Sequence, residues 1–188
     1  MTVLWSSFLV VALAEMGDKT QLVALTLASW YQRPWTVMAG ILIATLLNHA
    51  LASAVGALAA SVLPISLLGW ILGVGFVAFG VWTLIPDRAE EPRRRHSWGP
   101  LLTTTVVFFL AEMGDKTQLA TVALGARYDS MVAVTAGTTL GMLAADGLAV
   151  FAGARLGRRI PMQPVRWIAA ALFFAFGAAA IAGALGAF

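Results

Sequence analysis

Cysteine is absent from the 188 residues, histidine occurs only twice, and charged residues make up 11% of the chain. Without cysteine there is no disulfide framework, no thiolate metal site and no thiol nucleophile. Two histidines, His49 and His96, cannot build a histidine metal cluster. No nucleophile–base pairing is recognisable either, so the chain is not expected to be an enzyme. Charge is too scarce for a soluble domain, in which about a quarter of residues are charged. The net charge of +3 does not signal nucleic acid, because the arginines sit in short clusters between apolar runs and form no continuous basic face. What the chain has in excess is apolar surface: 60% hydrophobic residues and a mean hydropathy of +0.86. These values describe an all-α protein of the lipid bilayer.

A membrane-spanning helix needs about 20 mostly apolar residues. Six stretches qualify: Thr2 to Trp30, Thr36 to Val62, Ile65 to Ile85, Trp98 to Ala126, Met131 to Ala154 and Val165 to Phe188. Their length and lack of apolar/polar alternation argue against barrel strands. Val11-Ala12-Leu13-Ala14 has the small-residue pattern of a signal-peptidase site. No basic segment precedes it, so the first stretch is expected to be a retained span. Arginines are unevenly distributed among the loops. The loops after spans 1, 3 and 5 hold Arg33, Arg88, Arg93, Arg94, Arg95, Arg155, Arg158, Arg159 and Arg166, whereas the opposite side holds only Arg127. The positive-inside rule then places the arginine loops in the cytoplasm and both termini outside it. In a bacterium this means the inner (plasma) membrane. The Arg93-Arg94-Arg95 run also suits anionic lipid headgroups.

The chain repeats itself. Leu13-Ala14-Glu15-Met16-Gly17-Asp18-Lys19-Thr20-Gln21-Leu22 recurs as Leu110-Ala111-Glu112-Met113-Gly114-Asp115-Lys116-Thr117-Gln118-Leu119, an offset of 112 − 15 = 97. The same offset aligns Gly40 with Gly137, Leu51 with Leu148, Trp70 with Trp167, Phe76 with Phe173, and Gly80 with Gly177. Two three-helix repeats result, 1–85 and 98–188, joined by a linker at 86–97. Three is odd, so the second repeat crosses the bilayer in the opposite sense. Inverted repeats of this kind are characteristic of secondary transporters, whose sites lie near the midplane where the repeats meet.

The repeated decapeptide places charge at that depth. Glu15 lies about 13 residues into its span, roughly 20 Å at 1.5 Å per residue. Glu15, Asp18 and Lys19, and likewise Glu112, Asp115 and Lys116, are spaced i, i+3, i+4, which on a continuous helix is one face. Each ionisable group at such a depth costs about 2.5–3.5 kcal/mol, which argues for function over simple helix pairing. Four carboxylates against two lysines leave a charge of −2 if all are ionised, enough to balance one divalent cation. Oxygen ligands suit hard ions such as Ca²⁺ and Mn²⁺. Gln21 and Gln118 add amide oxygens. Asn48, His49 and Asp146 are further polar residues inside spans, and Asp146 is the equivalent of His49 (49 + 97 = 146). Asn48 and Asp146 are candidate ligands, and His49 and Asp146 candidate proton carriers; interhelical hydrogen bonds are the alternative. Gly17 and Gly114 either break the helix locally or let helices pack closely. Met16 and Met113 either offer thioether sulfur or fill space.

The duplicated Glu-Met-Gly-Asp-Lys-Thr resembles the paired E-x-G-D-[KR]-[ST] signature of the Gdt-type cation/proton exchanger family, which includes bacterial manganese exporters. The resemblance covers essentially the whole chain. It implies export of Mn²⁺, with Ca²⁺ as alternative cargo, against protons, and it assigns the functional acids to Glu15, Asp18, Glu112 and Asp115. The expected metal-binding set is these four with Gln21, Gln118, Asn48 and Asp146. Lys19, Lys116 and His49 are expected in charge balance or coupling. No cofactor is expected, only the transported cation and protons, in a monomer or homodimer. A passive cation channel is the rival reading.

Overall fold

The computed structural model describes residues 1–16, 18–85, 98–156 and 162–186. Eight helices run through these residues: α1 Thr2–Glu15, α2 Lys19–Tyr31, α3 Pro34–Val62, α4 Ile65–Leu84, α5 Gly99–Glu112, α6 Lys116–Arg127, α7 Met131–Leu156 and α8 Met162–Ala184. The linker expected at 86–97 lies outside the described residues. Within α3, α4, α7 and α8 are stretches long and apolar enough to cross a bilayer. The first and fourth expected spans are not continuous helices. Each is split at its charged motif, into α1 and α2 and into α5 and α6. At 14 residues, α1 extends about 21 Å and cannot by itself cross a hydrocarbon core of about 30 Å.

Local chemistry explains the boundaries. Pro34 occupies the first turn of α3, where its missing N–H costs nothing. Gln32 ends α2 in the left-handed region and donates its backbone N–H to the Ala28 carbonyl. At the second motif, Met113 is extended and Gly114 takes φ +75°, a conformation that side chains resist. Asp115 then caps α6, its Oδ1 accepting the Lys116 backbone N–H at 2.6 Å, the role for which aspartate is preferred. Met16 and Asp18 are likewise extended between α1 and α2. The break corrects the shared-face expectation. Glu15 and Glu112 end one half-helix, and Lys19 and Lys116 begin the next, so no continuous helix carries all three charges of a motif.

Packing is ordered by the 97-residue offset. A methyl group added at Gly80 would lie 2.6 Å from Phe174, and one added at Gly177 would lie 2.9 Å from Val77. These two contacts are equivalents of each other. Gly73 faces Gly177 and Gly69 faces Ala184, so α4 and α8 run antiparallel. Phe76 and Phe173, one equivalent pair, stack with centroids 6.2 Å apart. Phe76–Phe176 and Phe79–Phe173 flank them at 5.7 and 6.1 Å. On α3 and α7 the equivalents Thr45 and Met142 meet directly, at 3.0 Å. Gly40 packs on Leu101 and Thr104, just as Gly137 packs on Leu4 and Ser7. A local two-fold perpendicular to these antiparallel helices therefore relates the two parts, and each part lays its broken span against the other's long helix.

Polarity is inverted relative to a water-soluble fold. Ile65, Trp35, Val62 and Leu58 are exposed, whereas Glu15, Asp18, His49, Glu112, Asp115, Lys116 and Asp146 are all buried. Exposed apolar side chains around a charged interior are stable in lipid, where burying the charges removes them from hydrocarbon.

Candidate functional site

The two helix breaks bring both motifs together. Lys116 Nζ reaches Asp18 Oδ1 at 2.9 Å, and Lys19 Nζ reaches Asp115 Oδ2 at 3.3 Å. The pairs are equivalent under the offset, and each lysine serves the other motif's aspartate. They differ in access: the Lys116 side chain is 5% exposed and that of Lys19 is 30%.

The glutamates break the symmetry further. Glu15 accepts hydrogen bonds from both motif threonines, Thr20 at 2.7 Å and Thr117 by a short contact. Both carboxylate oxygens of Glu112 are buried without a hydrogen-bond partner among the described residues, and the same holds for Asp146. A buried acid with no donor is costly unless a proton or a cation shares the site.

The remaining expected residues lie around this centre. Gln21 Nε2 donates to the Ala145 carbonyl at 2.8 Å, next to Asp146. Asn48 Nδ2 donates to the Phe109 carbonyl at 3.1 Å, and Gln118 Nε2 donates to Asn48 Oδ1 at 3.4 Å. Gln118 Oε1 also accepts the Gly114 backbone N–H at 2.7 Å, tying the amide to the helix break. His49 is buried, with neither ring nitrogen hydrogen-bonded among the described residues. Met113 is 58% exposed. Among the described residues, no three acid or histidine side chains are gathered tightly enough to hold a metal ion in this arrangement, since lysines and threonines occupy three of the four motif acids.

Sequence reasoning passed over the threonines. Thr20 and Thr117 stand in the repeated motif, so their duplication was the available signal. Thr45, Thr121, Thr135, Thr138 and Thr139, buried as well, carry no motif at all.

Fold and site together define a multi-pass membrane transporter, in which a charged centre is enclosed by apolar helices and assembled from two halves of one chain. The chain belongs to the GDT1 family of divalent cation/proton antiporters, whose sequence model matches it in two parts, residues 3–91 and 100–187. It is 45% identical over 174 residues to a Vibrio cholerae protein named for manganese export, covering 92% of this chain and 87% of that one. A GDT1-like protein of Synechocystis is 27% identical over 201 residues, covering 94% of this chain and 95% of the other. A chloroplastic PAM71 homologue of Arabidopsis thaliana is 31% identical over 215 residues, covering 95% of this chain and 58% of that one. No solved structure matches the chain. Divalent cations and protons are thus the transported species, and the protein is a transporter rather than an enzyme.

Proposed function

We propose that this antiporter exports Mn²⁺ from the cytoplasm of a bacterium across its plasma membrane in exchange for protons, with Ca²⁺ as a second cargo. It would do so through six spans in two inverted repeats, 1–85 and 98–188, joined by the linker 86–97. Manganese as cargo is supported by the likeness to the Vibrio protein. The inverted arrangement is supported by the antiparallel meeting of equivalent helices. An axis perpendicular to membrane-crossing helices lies in the plane of the membrane. The nine-to-one arginine imbalance supports both termini outside the cytoplasm.

The observation that carries the mechanism is the crossed pairing of Lys116 with Asp18 and Lys19 with Asp115. A cation binding between the halves uses Glu15, Asp18, Glu112 and Asp115, with Gln21, Gln118, Asn48 and Asp146 as supporting oxygens. Its double charge takes over the work of the two ammonium groups, so metal binding loosens the crossed pairs as it displaces protons from the acids. Loosened pairs free the halves to rock, and protons on the acids restore the starting charge after release. Lys19 and Lys116 hold the cation-free site together, because −2 without them is −4.

A panel of divalent cations applied to proteoliposomes containing a pH dye tests the reading. Mn²⁺ should drive proton counter-movement, and an imposed pH gradient should drive Mn²⁺ movement. Mn²⁺ flux without protons would make the protein a passive channel.

A further inference from the structure

Although the motif is duplicated to the letter, the two routes leading away from it are not alike. Beyond Thr117, one turn along α6, lies Thr121, which donates to the Thr117 carbonyl at 2.8 Å. Another turn on is Gly125, where an added methyl group would lie 2.6 Å from the Ser53 carbonyl of α3. Thr135 of α7 donates to Ser53 Oγ at 3.1 Å. Because α3 and α7 run antiparallel through the contacts Thr45–Met142 and Ser53–Thr135, Thr138 and Thr139 fall level with His49. The Thr139 hydroxyl and both His49 nitrogens are buried without partners among the described residues. Gln118 meets Asn48 and Gly125 meets Ser53, so Thr121 falls along the same stretch of α3 as Thr138, and hydroxyls on three helices succeed one another in level from Glu15 and Thr117 to Ser53 and Thr135, toward the α6–α7 turn.

The equivalent positions on the other side of the two-fold carry almost none of this polarity. Thr121 corresponds to Ala24, Thr135 to Met38, Thr138 to Ile41, Thr139 to Leu42, and Ser53 to Val150. There Ala24 and Ile41 join Val23, Leu27, Val37, Ala44, Phe108 and Tyr31 in one buried cluster, whose one hydroxyl, that of Tyr31, is bonded to Thr103 at 3.1 Å. Common ancestry of the halves makes equal polarity the default, so the difference arose after duplication. Threonine is tolerated in a membrane helix by bonding to its own backbone, as Thr121 and Thr138 do. That local bond explains one threonine but not five polar residues at one stretch of three helices whose equivalents are all apolar.

We infer that this hydroxyl column is the outward half of the transport route, along which a divalent cation leaves the site with threonine and serine oxygens replacing part of its hydration shell. Hard cations accept such neutral oxygens, and neutral oxygens hold them weakly enough to let go. The inference rests on the exchanger reading and on the orientation proposed above, in which the α6–α7 turn faces outward. In this structure the column is closed, with α6 and α3 in backbone contact at Gly125 and Ser53 and the buried Lys116–Asp18 pair at its head.

The test is a set of Thr121→Val and Thr138→Val proteins in proteoliposomes, beside Ala24→Ser and Ile41→Val at the equivalent positions. The column variants should slow Mn²⁺-driven proton movement at least fivefold while Mn²⁺ affinity in detergent stays within twofold of the parent. The equivalents should change neither. Parental rates in both threonine variants would overturn the route, and so would a parallel loss of affinity, which would make the threonines binding ligands. Since the chain has no cysteine, a single Thr121→Cys gives an independent reading. Its labelling by an impermeant thiol reagent should occur only from the side of the α6–α7 turn and should change with added Mn²⁺; inertness from both sides during turnover would overturn the route. A parent protein that moves no protons with Mn²⁺ would instead defeat the exchanger reading, a result separate from indifferent threonines.

Discussion

Lys116 binds Asp18 across 98 positions of sequence at 2.9 Å, and Lys19 returns the same bond to Asp115 at 3.3 Å. This exchange of partners makes the site a joint product of both halves. Removing one partner of the buried pair leaves an uncompensated charge, which costs about 3–5 kcal/mol. Lys116→Gln should therefore lower thermal stability in detergent sharply, and Asp18→Asn with Lys116→Gln should recover much of it. Lys19→Gln strands Asp115, itself 2% exposed, and should also lower stability, but by less than Lys116→Gln, because the 30% exposed Lys19 ammonium is partly screened by its surroundings. Equal losses in the two lysine variants would show that the pairs do not differ in burial.

Glu15 and Glu112 should be equally necessary for transport and unequal for stability. Both Glu15→Gln and Glu112→Gln remove a charge from the cation site, so each should reduce Mn²⁺ transport at least a hundredfold while the protein remains folded in the membrane. Glu112 has no hydrogen bond to lose among the described residues, so Glu112→Gln should melt at or above the parent temperature. Glu15→Gln gives up two charge-assisted bonds from Thr20 and Thr117, each worth about 1.5–3 kcal/mol, and should melt lower. Parental Mn²⁺ rates in either variant would remove that acid from the cation site.

Proton competition sets the sign of the pH dependence. Carboxylates must be deprotonated to hold the cation, so lowering the pH adds a competitor. The apparent Kd for Mn²⁺ should rise by up to tenfold per pH unit for each proton displaced, and by up to a hundredfold if two leave together. Isothermal titration with Mn²⁺ across a pH series, in buffers of different ionisation enthalpy, measures both the slope and the number of protons released. A flat profile would separate cation binding from protonation.

Gly114 is held at φ +75°, where an L side chain costs about 1–2 kcal/mol. There is open space around it, so the cost of Gly114→Ala is purely conformational. That variant should lose about this amount of stability and lose transport with it, because the break between α5 and α6 positions Asp115 as the cap of Lys116. Replacement by D-alanine through chemical synthesis should restore both, since a D residue favours positive φ. A neutral Gly114→Ala would mean that the break does not depend on this glycine.

Orientation is open to a direct test. Single cysteines at Arg94 and Arg158 should react with an impermeant reagent only from the cytoplasm, and one at Ser130 only from outside. Labelling of positions 94 and 130 from the same side would defeat the inverted arrangement.

Much of this was legible without coordinates. Hydropathy located the apolar stretches because a bilayer demands length and apolarity that no soluble helix needs. The offset of 97 exposed the duplication because ten identical residues, Leu13 to Leu22 and Leu110 to Leu119, do not recur by accident. The charges of Glu15, Asp18, Glu112 and Asp115 pointed to a buried polar centre because hydrocarbon excludes such groups, and all four are buried where the two motifs meet. The break in the motif helices was only one of two readings of Gly114, since glycine also serves close packing. Helical spacing placed Glu15 and Lys19 on one face, whereas backbone geometry at Gly114 and at the Asp18 and Asp115 caps separates them. Partner choice lay further out of reach. Nothing local distinguishes a lysine that pairs with its own aspartate one residue away from one that crosses to the other repeat. That choice belongs to tertiary structure, because the distance between Lys116 and Asp18 is set by how α1, α3, α5 and α7 pack. The same packing brings together residues that carry no sequence pattern, Thr135 with Ser53 and the α6 turn beyond Thr121 against Ser53.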